Sequence, residues 1–364
     1  QIMEQQAKKI WIFDSTLRDG AQGEEISFSV QDKLNIVQTL DQLGIDYIEA
    51  GNPGSNPKDL EFFERVGQLT LHHAKLVAFG STRRKEEKVE DDINLQALLS
   101  ANTKAVSIFG KSWDFHVTDI IHTTLEENLR MIEETVAFLK AHGKEVIFDA
   151  EHFFDGYKRN PDYAIQTLLA AQKGGADYIC LCETNGGAFP DEVSRIVAQV
   201  LPQLRVPVGI HTHDDGGMAV ASSVMAVLAG AQMVQGTLIG FGERCGNANL
   251  SAIIANLQLK RNYQCIPPEN LHKLMQTCRV VSEISNVRLH KNMPYVGKSA
   301  FAHKGGMHID GVNKAPASFE HINPESVGNS RRFLMSEVAG RSTLIERIQK
   351  VDASVRREDE VTTR

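Results

Sequence analysis

The chain has 364 residues, is 42% hydrophobic and 23% charged, and bears a net charge of -7. That is the make-up of an ordinary globular protein, and the acidic balance argues against nucleic acid or an anionic membrane surface as a partner. The longest small-residue apolar stretch, 219–231, holds two serines and is too short to span a bilayer. The N-terminus lacks the charged-then-apolar layout of a signal peptide. Five cysteines without a scaffold spacing suggest reduced thiols, so a cytoplasmic location is expected.

In chain order, strands and helices alternate. Residues 9–16 are apolar and β-rich, and 29–43 have the helical spacing Val30, Leu34, Ile36, Val37 and Leu40. A strand at 47–51 precedes a helix at 57–69. The following strand–helix pairs are 76–80 with 92–100, 105–110 with 125–141, and 145–151 with 163–174. The last three are 178–184 with 190–200, 208–213 with 218–229, and 233–240 with 249–259. Eight units in about 260 residues (1–260) predict a (β/α)8 TIM barrel. An open doubly wound sheet would want a Gly-rich turn after its first strand, and Arg18-Asp19-Gly20-Ala21-Gln22-Gly23 is not one. Residues 261–350 break the rhythm and read as a mainly helical C-terminal appendage. Residues 351–364 read as a frayed, charged tail. The run Arg83-Arg84-Lys85-Glu86-Glu87-Lys88 reads as solvated surface, and Cys180 with Cys182 as core packing.

The chemically capable side chains fall at the C-terminal ends of the strands, the face that carries active sites in this fold. Arg18 and Asp19 follow strand 1, Glu49 ends strand 2, Glu151 strand 5 and Thr184 strand 6. His211 and His213 share one face of strand 7, because strand side chains alternate. A same-face imidazole pair there predicts a metal site. Asp19, on the loop facing the mouth, is preferred over Asp14 as its carboxylate. Asn247, opening helix 8, serves either as a fourth oxygen or as an N-cap. Such a mixed donor set suits an open octahedral cation (Mg, Mn, Zn or Co) chelated by a 2-oxo acid, with Arg18 stabilising the developing oxyanion. The Gly-rich 240–247 stretch lacks the Lys-Ser/Thr of a P-loop.

Arg18-Asp19-Gly20, Glu49, His211-Thr212-His213 and Gly242-Glu243-Arg244-Cys245-Gly246-Asn247-Ala248-Asn249 resemble a family of metal-dependent barrels that condense or cleave acyl-CoA. The family includes isopropylmalate synthase, homocitrate synthase and hydroxymethylglutaryl-CoA lyase. The resemblance runs over about residues 9–345. Stretches 54–59, 78–84, 149–157 and 299–308 resemble the branch that condenses acetyl-CoA with pyruvate, releasing CoA, in isoleucine biosynthesis.

The resemblance implies Asp19, His211 and His213 as metal ligands, with Asn247 nearby or bound. It implies Arg18 on the keto oxygen, Glu49 behind that arginine, and Thr184 on the 2-oxo acid carboxylate. Gln22 is a further substrate contact. Glu151 and His308 would manage proton transfer, His308 (or, less well, His303) reaching in from the partner in a homodimer. Asp149, on the Glu151 face, would repel the second carboxylate of 2-oxoglutarate. Separating pyruvate from 2-oxoisovalerate rests on pocket volume, about 1–3 kcal/mol per methylene. Asp214 stands where asparagine is expected and adds a carboxylate beside the metal. The C-terminal regulatory domain that relatives often carry is expected to be absent from this chain, and feedback inhibition with it. The competing readings are an isopropylmalate or homocitrate synthase, an acyl-CoA lyase or aldolase, and a non-catalytic metal-binding scaffold.

Overall fold

The structure, a computed structural model, describes residues 6–335 and 348–349; the expected tail at 351–364 lies outside them. Eight parallel strands close a barrel in sequence order. They are β1 (Trp11–Asp14), β2 (Tyr47–Gly51), β3 (Lys75–Ser81), β4 (Ala105–Lys111), β5 (Glu145–Glu151), β6 (Tyr178–Glu183), β7 (Val208–Thr212) and β8 (Met233–Gly236). The last strand pairs with the first, Trp11 opposite Met233 and Asp14 opposite Gly236.

The helices that follow the strands are α1 (Val30–Leu43), α2 (Pro57–Val66), α3 (Ile93–Ser100), α4 (Leu125–Ala141), α5 (Pro161–Gly174), α6 (Pro190–Val200), α7 (Ala219–Leu228) and α8 (Leu250–Lys260). Their starts are written in the sequence. Ser29 and Asp32 form a reciprocal capping box on α1. Asn56 and Asn160 cap α2 and α5, each just before a proline.

A layer of side chains fills the barrel: Phe13, Tyr47, Val77, Ala105, Ile147, Cys180 and Met233, one from each of seven strands. On the remaining strand, β7, a Cβ at Gly209 would come 3.3 Å from Met233 Cβ and 3.4 Å from Cys180 Sγ. The glycine leaves the room that those larger neighbours fill. Cys180 and Cys182 are buried in this layer or beside it.

Several expectations need correction. Residues 8–9 leave β1 and pair in parallel with Tyr263–Gln264, outside the barrel. The eighth strand ends at Gly236, so 237–240 belong to the loop above it. Two short helices, Asp114–Asp119 and Phe153–Arg159, are inserted after β4 and β5; six or seven residues are too few to show a helical period. Arg83 is not solvated surface. It is 4% exposed and bonds Glu127 and Glu134 of α4.

The described residues divide into two compact units, 6–268 with 280–287, and 269–279 with 288–335. The second unit holds a helix, Gly306–Lys314, and a short parallel pair, Ala302–His303 with Arg332–Phe333. Its interior includes Phe301, Ile309, Val312 and Val327. Asn329 Nδ2 donates to the carbonyls of Tyr295 and Gly297, both at 2.9 Å.

Candidate active site

Three donor groups converge at the C-terminal mouth of the barrel. His211 Nε2 lies 3.0 Å from Asp19 Oδ2, and His213 Nε2 lies 3.7 Å from the same oxygen. The imidazoles come from β7 and its exit, spaced by two as a strand requires. Asp19 stands just ahead of a tight turn, Gly20–Gln22. Asn247 Oδ1 is 3.2 Å from His211 Nε2.

The remaining ring nitrogens decide which atoms are free. His213 Nδ1 is 3.1 Å from the Glu183 carbonyl. A carbonyl only accepts, so Nδ1 holds a proton and Nε2 is the nitrogen turned toward Asp19. His211 Nδ1 is 2.8 Å from Gln235 Oε1, and Gln235 Nε2 donates to Asp149 Oδ1 at 3.0 Å. The amide is thereby turned with its oxygen toward the imidazole, which fixes a proton on Nδ1 and leaves Nε2 facing Asp19; burial opposes the imidazolium, but Asp19 raises it to about 10, so a cation binding there must displace that proton. Two oriented imidazoles, a carboxylate and an amide oxygen fit a divalent cation, with the outer partners such a site needs.

Burial works against ionisation of Asp19. Arg18, then the bonds from His211 and His213, nonetheless hold it well below the usual carboxylate range. Asp14 is different. Burial pushes it up to about 7, and its two oxygens accept from Thr16 N and Thr16 Oγ1 at 2.8 and 2.9 Å. It shapes the turn and is not among the converging donors. Asp149 is also raised, by burial first and by Glu49 next.

Arg18 is locked from two sides. Its Nε donates to Glu49 Oε1 at 2.5 Å, and its guanidinium carbon lies 3.7 Å above the Phe79 ring. Glu49 is fully buried and accepts from Ser15 Oγ at 2.8 Å and Ser107 Oγ at 2.5 Å as well. A planar cation held this way loses little freedom when it meets an oxyanion.

A pocket of about 380 Å³ brings Arg18, Asp19, Gln22, Asp149, Glu151 and Thr184 together with both histidines. Glu151 pairs with Lys111 Nζ at 2.9 Å. Thr184 Oγ1 accepts from the His152 amide at 2.8 Å, leaving its own proton to donate. Phe79 and Phe109 stack at 5.1 Å and form an apolar wall. His308 belongs to the second unit, exposed on the helix Gly306–Lys314. His303, in the same unit, bonds Glu320 at 3.0 Å.

Two sequence expectations change. Asn249, not Asn247, caps α8, accepting from Ser251 N at 3.0 Å. Asn247 is thus free to face His211, and a Cβ at Gly242 would come 2.1 Å from its Nδ2, so that turn packs on the asparagine only as glycine. The Asp214 carboxylate accepts from Ala219 N at 3.1 Å. It holds the start of α7 and is not part of the converging set.

Lys111 and Gln235 were missed in the sequence. Lys111 is the last residue of β4, the same strand-end position as Glu151; Glu49, expected to end its strand, lies in the middle of β2. Gln235 is a fully buried amide in an otherwise apolar strand, and such a group needs partners.

The sequence matches the HMGL-like family over residues 9–281 and the homocitrate synthase post-HMGL domain-like family over residues 295–363. It is 56% identical to an (R)-citramalate synthase of Aquifex aeolicus, over 94% of this chain and 65% of that protein. It is 53% identical to an (R)-citramalate synthase of Synechocystis, over 93% of this chain and 64% of that protein. The chain therefore spans about two thirds of the length of these relatives. Among solved structures, an HMG-CoA lyase of Bacillus subtilis aligns with a TM-score of 0.66 at 20% identity, over 78% of this chain and 97% of that one; at that identity the likeness concerns the fold.

Proposed function

The chain belongs to the HMGL-like family, and from that premise we propose that it condenses acetyl-CoA with pyruvate to give (R)-citramalate and CoA, a step toward isoleucine. The observation behind this reading is the convergence of Asp19, His211 and His213 beside the Glu49-locked Arg18 in one pocket. The choice of pyruvate rests on the likeness to the named synthases.

A divalent cation held by Asp19, His211 and His213, with Asn247 alongside, would polarise the ketone of the 2-oxo acid. Thr184 donates its hydroxyl proton to the acid's carboxylate. Glu151 takes a proton from the acetyl methyl group, and Lys111 keeps that carboxylate oriented toward the pocket. The resulting carbon nucleophile forms a bond to the ketone carbon while the C=O pair moves to oxygen. Arg18 meets that oxygen, its place fixed before the charge develops. Water then cleaves the thioester, leaving a carboxylate and the CoA thiol. His308 contributes to proton transfer from the second copy of a homodimer, and Gln22 closes the rim. The Phe79–Phe109 wall limits the 2-oxo acid side chain, and Asp149 on the floor opposes a second carboxylate. We propose a homodimer in the cytoplasm as the active form. Among the described residues no helix is long and apolar enough to cross a membrane.

The test is thiol release from acetyl-CoA with Mg or Mn, run in parallel against pyruvate, 2-oxobutyrate, 2-oxoisovalerate and 2-oxoglutarate. Pyruvate is expected to give the highest kcat/KM. Preference for a longer 2-oxo acid overturns the substrate assignment, and silence with all four overturns the condensation.

A further inference from the structure

A second cluster of ligating groups lies on the inserted segments above β4 and β5, and the acyl-transfer chemistry does not use most of it. His116 is on the short helix Asp114–Asp119, Glu151 ends β5, and His152 precedes the helix Phe153–Arg159. One donor atom of each lies within 4.8 Å of the others. His152 Nε2 is 3.7 Å from Glu151 Oε1. The two imidazole rings are 4.5 Å apart and meet edge to face.

Each group is held from behind. Trp113 stacks on His116 at 4.7 Å. The other nitrogen of His152 is buried without a hydrogen-bond partner and faces Asp155 Oδ2 at the ion-pair distance of 3.6 Å, and Asp155 is itself fixed by Asn185 Nδ2 at 2.8 Å. The His152 amide is tied to Thr184 at 2.8 Å. His152 sits in the left-handed region at φ 54, a conformation that costs a non-glycine residue about 1–3 kcal/mol and that surrounding structure must impose. From that position the ring lies beside Glu151 and His116. His116 Nδ1 is buried without a hydrogen-bond partner. Its environment is crowded by the His152 ring and the Lys111 ammonium rather than by an acceptor.

We propose that His116, Glu151 and His152 form a second divalent-cation site, selective for a borderline-soft ion of the Zn²⁺ type and oriented by Asp155 and Trp113. Two imidazoles and one carboxylate make a three-ligand zinc set with the fourth position open to water. Magnesium, which prefers oxygen ligands and gives up its waters reluctantly, is a poor occupant. The ion shares Glu151 with Lys111, so occupancy withdraws from the reaction pocket the carboxylate assigned as base. Zinc at this site inhibits, and added magnesium does not relieve it. The binding claim stands whether or not the acyl-transfer reading holds.

The experiment is metal counting on the whole chain, stripped by chelator, reloaded with Zn²⁺ and gel-filtered, with a calorimetric titration of each equivalent. Two zinc ions per chain are expected for the unaltered protein. One is expected for His116→Ala with His152→Ala, and one, at the other site, for His211→Ala. The equivalent retained by each variant shows that it has folded. Asp155→Ala leaves the ligands in place and weakens the second equivalent by about 10–100-fold. A single equivalent in the unaltered protein overturns the proposal. So does a second equivalent that survives loss of His116 and His152, or one lost instead on Cys180→Ser with Cys182→Ser, which would put the ion on the thiols beside Asp149.

Discussion

The imidazole of His211 can carry its proton on either nitrogen, and only one choice leaves Nε2 free for a cation. The chain Asp149–Gln235–His211 makes that choice with two hydrogen bonds of 3.0 and 2.8 Å. Gln235→Leu keeps all the ligands but removes the amide. The dissociation constant for Mn²⁺, followed by calorimetry, is expected to rise about 10–100-fold, with thermal stability changed far less than for a core cavity. An unchanged constant would remove Gln235 from the account. Phe109 makes a second residue-scale prediction. Truncation to alanine opens the apolar wall opposite Phe79, so kcat/KM for 2-oxoisovalerate relative to pyruvate should rise by about 10-fold or more. The two histidines were legible from their spacing alone. Gln235 was not, because a buried amide resembles a surface one until its partners on β5 and β7 are known. The same holds for Asp149: its strand face was readable, but its bond to Gln235 depends on two strands meeting across the barrel interior.

At the scale of elements, the loop leaving β3 is pinned to α4. Arg83 donates to both oxygens of Glu127 at 2.8 and 3.2 Å and to Glu134 at 2.7 Å, and the Glu86 amide adds a bond to Glu127 at 2.7 Å. The Arg83 bond, ahead of the opposing effect of burial, lowers Glu127 to about 2. A carboxyl depressed in the folded state stabilises it above the ordinary carboxyl pKa and loses that contribution as pH falls toward the folded value. The protein should therefore lose about 2 kcal/mol from this group between pH 4.5 and 2. Glu127→Gln should lose a similar amount at pH 7 and show a shallower acid limb in urea titrations. Parallel titration curves for the two proteins would refute this. The alternation of strands and helices was readable because strand and helix periods differ and caps such as Ser29, Asn56 and Asn160 mark the starts. The clamp was not. Arg83 sits in a run of charges, and only the packing of α4 over that loop makes one member of the run a buried pair. The inserted helix Phe153–Arg159 escaped for a related reason: its apolar residues, Phe153 and Phe154, are adjacent rather than periodic.

For the whole molecule, the proposed sharing of His308 between copies is testable without any structure of the pair. His308→Ala and Glu151→Gln should each be nearly inactive. Mixed under conditions that let subunits exchange, they should recover about a quarter of the unaltered activity, because half of the dimers then hold one intact site. Size-exclusion chromatography with light scattering checks the dimer itself. No recovery from an exchanged dimer would mean that each copy uses its own His308. The described chain also has a seam. Residues 8–9 lie against Tyr263–Gln264, and Lys9 Nζ reaches the Cys265 carbonyl at 2.8 Å across 256 positions of sequence. Joining points so remote costs a flexible chain about 5 kcal/mol in loop entropy. Neighbouring strands along the barrel can zip before that cost is met, whereas β1 and β8 must wait for the whole circuit. Those few bonds act as a latch on a ring, setting how long the closed barrel stays closed far more than how quickly its parts assemble.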